Sequence, residues 1–239
     1  MITEQLAPAA LPDGQRVYAI GDVHGCDDRL AAMHAAIADD LAARPVADAL
    51  LIHLGDYIDR GPDSAAVLDR LTRPLPAAPG LRMVNLVGNH EDMLLRVLAG
   101  GNGEDAAHWL RNGGGETLAS WGLSWRDRPA AWEAAIPPRQ LGLLRALVPC
   151  CQIGGYIFVH AGLRPGVPLA GQTREDMLWI REPFLSFGGT LPAVAVHGHT
   201  PEPGPILRPH RIGIDTGAVL GGALTCAVLE ADRVGFLHS

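Results

Sequence analysis

The sequence predicts an α/β fold, on two observations. Three strand–loop–helix units follow one another between residues 16 and 98, and each unit puts its polar residues at the C-terminal end of its apolar run. Composition allows a sizeable core: of 239 residues, 48% are hydrophobic and 19% charged, which argues against disorder.

The units read in order. Val17 to Ile20 is a buried strand that stops at Gly21-Asp22-Val23-His24-Gly25. Leu30, Met33, Ile37 and Leu41 then recur at helical spacing, and Pro45 closes that helix. Leu50 to Leu54 is the second strand, Gly55 to Pro62 a turn, and Ser64 to Arg73 a helix with Val67, Leu68 and Leu71 on one face. Met83 to Val87, Gly88-Asn89-His90 and Glu91 to Leu98 form the third unit. Open α/β sheets hold ligands at such strand ends. Residues 1–15 read as a loose leader and 16–239 as a single domain. Within it, about 100–149 forms a largely helical, cap-like segment with four of the five tryptophans and the triplet Gly113-Gly114-Gly115. Trp109, Trp121, Trp125 and Trp132 are expected to pack the cap core. The triplet, costly in entropy, is expected where backbone turns sharply or approaches something, as at a substrate rim. Strand signals return at Tyr156–Val159, Ala193–Val196, Ile212–Ile214 and Leu224–Leu229.

A net charge of −7 argues against a general nucleic-acid or membrane-surface binder. The four cysteines form no C-x-x-C pair, no apolar run of about 18 residues exists, and the N-terminus lacks signal-peptide character. The expected location is the reducing cytoplasm.

Five motifs stand at strand ends: Gly21–Gly25, Gly55–Gly61, Gly88–Glu91, His160-Ala161-Gly162 and Gly198-His199-Thr200-Pro201. They offer oxygen and imidazole donors, which suit Mn, Fe or Zn. One Asp-x-His or Gly-Asn-His alone is an ordinary polar turn, and one histidine an ordinary packed side chain. The weight lies in five together, each after an apolar run.

These motifs, with residues 108–115, 178–182 and 214–219, resemble the calcineurin-like metallophosphoesterases, in particular the bacterial, lambda-phage-like branch of the PPP serine/threonine protein phosphatases. The resemblance implies a four-layer α/β/β/α sandwich of two mixed sheets. It implies two divalent metal ions, Mn²⁺ by family habit with Fe or Zn as alternatives. Asp22, His24 and Asp56 would hold one; Asp56 would bridge to the second, held also by Asn89, His160 and His199. His197 would support the ligands from behind or simply pack. Arg60, Arg181 and Asn89 would bind phosphate, and His90 would protonate the leaving oxygen. Asp59 would orient His90 and keep its imidazole protonated at neutral pH.

The implied activity is phosphomonoester hydrolysis on phosphoserine and phosphothreonine proteins, by direct attack of a metal-bridging water. Cations about 3.5–4 Å apart acidify such a water and neutralise phosphoryl oxygens. The HCxxxxxR and DxDx[TV] boxes of covalent phosphatases are absent, in agreement. The alternatives are a symmetrical dinucleoside tetraphosphate hydrolase or a small-metabolite phosphatase of the same superfamily. The dinucleotide family usually has Ala at the position of Asp59 and Asp at that of Glu91. No nucleic acid, membrane or partner protein is expected beside phosphoprotein substrates.

Overall fold

A computed structural model describes residues 3–239. In the first sheet, β2 (Gln15–Ile20), β3 (Asp48–His53) and β4 (Arg82–Asn85) run parallel. Antiparallel to β2 lies β10 (Thr225–Glu230), followed outward by β11 (Arg233–His238) and β1 (Gln5–Leu6). The second sheet has the order β5 (Cys150–Ile153), β6 (Tyr156–Val159), β7 (Val194–His197), β9 (Arg211–Gly213), β8 (Ile206–Arg208). Both sheets are mixed, because the parallel centre of each is flanked by antiparallel strands.

Strand alternation divides the core into layers. Val17, Ala19, Ala227 and Leu229 meet Tyr156, Phe158, Val196 and Ile212 between the sheets. Tyr18, Ile20, Cys226 and Val228, on the opposite face, pack under α1 (Asp27–Ala43), α2 (Ser64–Leu71) and α3 (Asn89–Leu98). Ile157, Val159 and Ala195 face outward from the second sheet, beneath Leu163, Ile180 and Phe184. This outer layer holds α8 (Arg174–Trp179) and irregular chain. Burial on both faces explains why these strands read as unbroken apolar runs.

Residues 3–15 correct the expectation of a loose leader. Gln5 and Leu6 pair with Val234 and Arg233, Ala7 N–H donates to Asp232 O at 2.9 Å, and Leu11 is buried. The segment satisfies backbone groups that the edge of β11 would leave unpaired. The stretch at 100–149 folds as α4 (Gly103–Trp109), a π-helical turn (Leu110–Gly114), α5 (Gly115–Ser120), α6 (Pro129–Ala135) and α7 (Pro138–Ala146), against α2 and α3. Trp109 and Trp132 are fully buried there, with ring centroids 5.7 Å apart, whereas Trp125 is exposed under Arg126. Among the described residues, no helix is long and apolar enough to cross a membrane.

Candidate active site

The five motifs converge where the C-terminal ends of β2, β3, β4, β6 and β7 meet. Six non-glycine residues among those described have a left-handed backbone, and five belong to this site: His24, Asp56, Asp59, Arg60 and His199. Such conformations cost about 1–3 kcal/mol each and persist where surroundings over-determine them. Here they lie in the loops that follow β2, β3 and β7.

Asp56 is the hub. Its Oδ2 lies 3.4 Å from His24 Nε2 and 3.9 Å from His90 Nε2, while its Oδ1 lies 3.4 Å from His160 Nε2. Two groups of potential ligand atoms result, each spanning no more than 4.8 Å: His24, Asp56 and His90, and Asp56, His160 and His199. His24 Nδ1–H donates to Ile58 O at 2.8 Å and His160 Nδ1–H to Leu54 O at 2.9 Å. Those bonds leave both Nε2 lone pairs facing the site.

Several features fit cations here. His160 Nε2 faces Asn89 Oδ1 at 2.9 Å, acceptor against acceptor, a contact that a positive ion would reconcile. His199 Nδ1 is also 2.9 Å from Asn89 Oδ1, and His199 Nε2 is buried without a partner. Burial, then neighbouring charges, drives His24 well below the ordinary imidazole range, and burial moves His160 down to about 3, so neutral nitrogen donors are available. Asp22 is pushed up by burial, then by Asp215 and Asp56; Asp56 is pushed up by burial, then by Glu91. Cations offset such crowding of carboxylates.

Asp22 lies outside both three-residue groups. Its two oxygens accept the His199 backbone N–H, each at 3.1 Å, and His90 stands in the first group instead. His197 belongs to neither group; its ring packs 5.0 Å from that of Phe184.

His90 Nδ1–H donates to Asp59 Oδ2 at 2.6 Å, so the expected pair is formed. The expected upward shift of His90 is not found. Burial, then the charge of Arg60, then His108 moves it down to about 3, and burial raises Asp59 to about 8 against hydrogen bonds from Thr117 and Trp109. Desolvation of the imidazolium sets the direction, and the Asp59 carboxyl, itself raised by burial, does not offset it. Arg60 donates to His24 Nε2 at 2.7 Å and to His90 Nε2 at 2.9 Å. Arg181 is exposed, and its positive charge helps depress His160 and His199.

Two residues without a predicted role also shape the site. Glu91 is fully buried and accepts four backbone N–H groups: Asp56 and Gly88 at 2.9 Å, Tyr57 at 2.7 Å and Ile58 at 3.2 Å. Its signal was its place three residues after Gly88 at a helix start, where a carboxylate satisfies free donors. Asp215 adjoins Asp22 and accepts the Gly217 N–H at 3.0 Å; the stretch around it offered only a resemblance.

Comparisons with known proteins agree with this geometry. The family model described as calcineurin-like phosphoesterase matches residues 15–222. The serine/threonine-protein phosphatase 1 of Salmonella typhimurium is 32% identical over 227 residues, covering 90% of this chain and 93% of that protein. The symmetrical bis(5'-nucleosyl)-tetraphosphatase of Bordetella pertussis is 28% identical over 275 residues, covering 90% and 92%. A crystal structure provisionally named a diadenosine tetraphosphatase superposes with a TM-score of 0.66 at 23% identity, over 97% of this chain and 98% of that one, which speaks to fold alone. With a matched family model over most of its length and its motifs gathered at one edge of two mixed sheets, the chain belongs to the calcineurin-like phosphoesterases, a family of metal-dependent hydrolases.

Proposed function

We propose that this chain hydrolyses phosphate monoesters with two divalent cations, Mn²⁺ serving best, and that its substrates are phosphoserine and phosphothreonine side chains of proteins. The observation that carries this is the 2.6 Å bond between His90 and Asp59, because a seryl alkoxide leaves only when it is given a proton. His24, Asp56 and Asp22 would hold one cation, and Asp56, Asn89, His160 and His199 the other. Bound there, the cations would supply an acidified water and charge for the phosphoryl oxygens.

The chain's own residues do the rest. Arg60 and Arg181 draw the phosphate dianion in, matching its oxygens with guanidinium forks. Arg60 thereby leaves His90 Nε2, and the dianion's charge offsets the burial and the Arg60 charge that keep this imidazole neutral. A proton taken up on Nε2 then passes to the leaving oxygen, while Nδ1–H stays on Asp59 and holds the ring in line. Beside Trp179, whose ring lies 6.2 Å from His199, a cavity of about 340 Å³ leaves room for a substrate chain.

The second reading is symmetrical dinucleoside tetraphosphate hydrolysis, favoured by the relative of that name at 28% identity. A nucleoside diphosphate leaves easily and needs the His90 proton less. The deciding experiment strips the protein of metal, restores Mn²⁺, and compares phosphopeptides with diadenosine tetraphosphate. Highest kcat/KM on phosphoserine or phosphothreonine peptides supports the first reading. A large margin for the dinucleotide over every phosphopeptide replaces it with the second.

A further inference from the structure

The function proposed above leaves unexplained why a tryptophan of the cap lies against Asp59 and a glycine of the cap against Arg60. Trp109 is fully buried, so its indole N–H needs an acceptor. That acceptor is Asp59 Oδ2 at 2.9 Å, the oxygen that also takes His90 Nδ1–H. The other oxygen, Oδ1, takes the Thr117 hydroxyl at 2.6 Å. Thr117 Oγ1 in turn accepts the Asp59 backbone N–H at 2.8 Å and lies 3.1 Å from Ser64 Oγ.

The glycines make this contact possible. Gly113 has φ 104°, and its carbonyl accepts the Arg60 N–H at 3.2 Å. A Cβ on Gly113 would stand 2.7 Å from Arg60 N, and one on Gly114 would stand 2.5 Å from Cε2 of Trp109. The π-helical turn thus passes over the left-handed Asp59-Arg60 pair and under the indole in one step. Packing alone would not need this fit. Trp109 has Trp132 beside it for packing, yet its one polar atom meets the carboxylate that His90 uses.

The carboxylate has two side-chain rotations and two equivalent oxygens, so a bond to His90 alone leaves its plane free. Arg60 donates to His90 Nε2, so the neutral ring carries its hydrogen on Nδ1, and Oδ2 accepts it beside the indole N–H. Thr117 fixes Oδ1, and with both oxygens tied the plane has one orientation. We propose that Trp109 and Thr117 are positioning residues for the Asp59–His90 pair, by which the cap aims His90 Nε2 at the leaving oxygen. This rests on the proton-donor role of His90. Loss of either donor leaves a buried carboxylate lone pair unpaired and lets the carboxylate turn.

The experiment uses Mn²⁺-loaded full-length protein: wild type, Trp109→Phe, Thr117→Val, Thr117→Ser and His90→Asn. Turnover is measured on p-nitrophenyl phosphate, which needs little protonation, and on phenyl and alkyl phosphates, which need much. Expected for Trp109→Phe and Thr117→Val is a kcat loss of roughly 10–100-fold on the poor leaving groups but under about 3-fold on p-nitrophenyl phosphate. KM and bound Mn²⁺ should stay unchanged, and Thr117→Ser should restore the rate. A second readout, taken on Zn²⁺-loaded protein because paramagnetic Mn²⁺ erases nearby proton signals, is the low-field resonance of His90 Nδ1–H, assigned by its loss in His90→Asn. It should move upfield in Trp109→Phe and Thr117→Val and stay in place in Thr117→Ser. Should Trp109→Phe not fold, the Thr117 pair decides by the same measures. If His90→Asn is selective by leaving group while Trp109→Phe and Thr117→Val are not, the positioning role is overturned and the donor stands. If His90→Asn itself shows no such selectivity, the donor role falls and the positioning role with it.

Discussion

His90 divides its ring between two tasks: Nδ1 is held by Asp59, and Nε2 faces Arg60 and the place of reaction. Replacing it by Asn should lower kcat on phosphoserine peptides by about 10²–10⁴. Bound metal, measured by elemental analysis, should remain if His90 acts on the leaving group; a parallel loss of metal would make it a ligand of the His24–Asp56 group. A second imidazole reports on stability. His34 Nε2 meets His53 Nε2 at 2.9 Å, and His53 Nδ1 meets Asn85 Oδ1 at 2.8 Å. Burial, then the Arg70 charge, lowers His34 to about 4. The folded protein therefore resists a proton that the unfolded chain accepts near pH 6.5. That stability is complete above about pH 6.5 and is lost as pH falls toward 4, by up to about 3 kcal/mol. Urea titrations across this window should show a shallower decline for His34→Gln than for wild type; identical slopes would remove His34 as the cause.

At the scale of elements, the start of α3 and the loop after β3 form one unit through Glu91. Burial pushes this carboxyl up to about 7, while N–H bonds from Tyr57, Gly88 and Ile58 pull it back. Glu91→Gln keeps the shape but turns an amide NH₂ toward backbone donors. A cost of about 2–4 kcal/mol is expected, as for a buried charged acceptor lost from its donors. Because those donors include the N–H of Asp56, metal affinity should fall with stability. Calorimetric Mn²⁺ titration beside urea denaturation checks both; full affinity in a destabilised variant would limit Glu91 to scaffolding.

For the molecule as a whole, the proposed ligands span both sheets. His24 and Asp56 follow strands of the first, and His160 and His199 follow β6 and β7 of the second. Metal binding should therefore tie the sheets together and relieve the crowded carboxyls of Asp22 and Asp56. An ion at 100 times its Kd adds about 2.7 kcal/mol, or roughly 5–10 °C in Tm for a chain of this size. Chelated protein should lose turnover and melt lower by that order, with Mn²⁺ restoring both. Unchanged melting after verified removal would place the ions outside the folding equilibrium.

The central strands were legible because burial on both faces demands unbroken apolar runs, as in Val17–Ile20 and Tyr156–Val159. The rim strands β1, β5, β8 and β11 escaped notice. They are short or interrupted by residues such as Gly235 and Gln152, although Gly154-Gly155 between β5 and β6 was a readable hairpin turn. The donors gathered at the strand ends could be read along the chain, because each motif is contiguous and follows its strand. How those donors are shared depends on the assembled fold: Asp22 turned to the His199 N–H, Glu91 gathering the loop after β3, and Trp109 and Thr117 closing on Asp59. The difference is one of range. Strand and helix periods report what a residue faces within its own element, whereas these bonds join residues 35 to 177 positions apart and depend on where the chain returns.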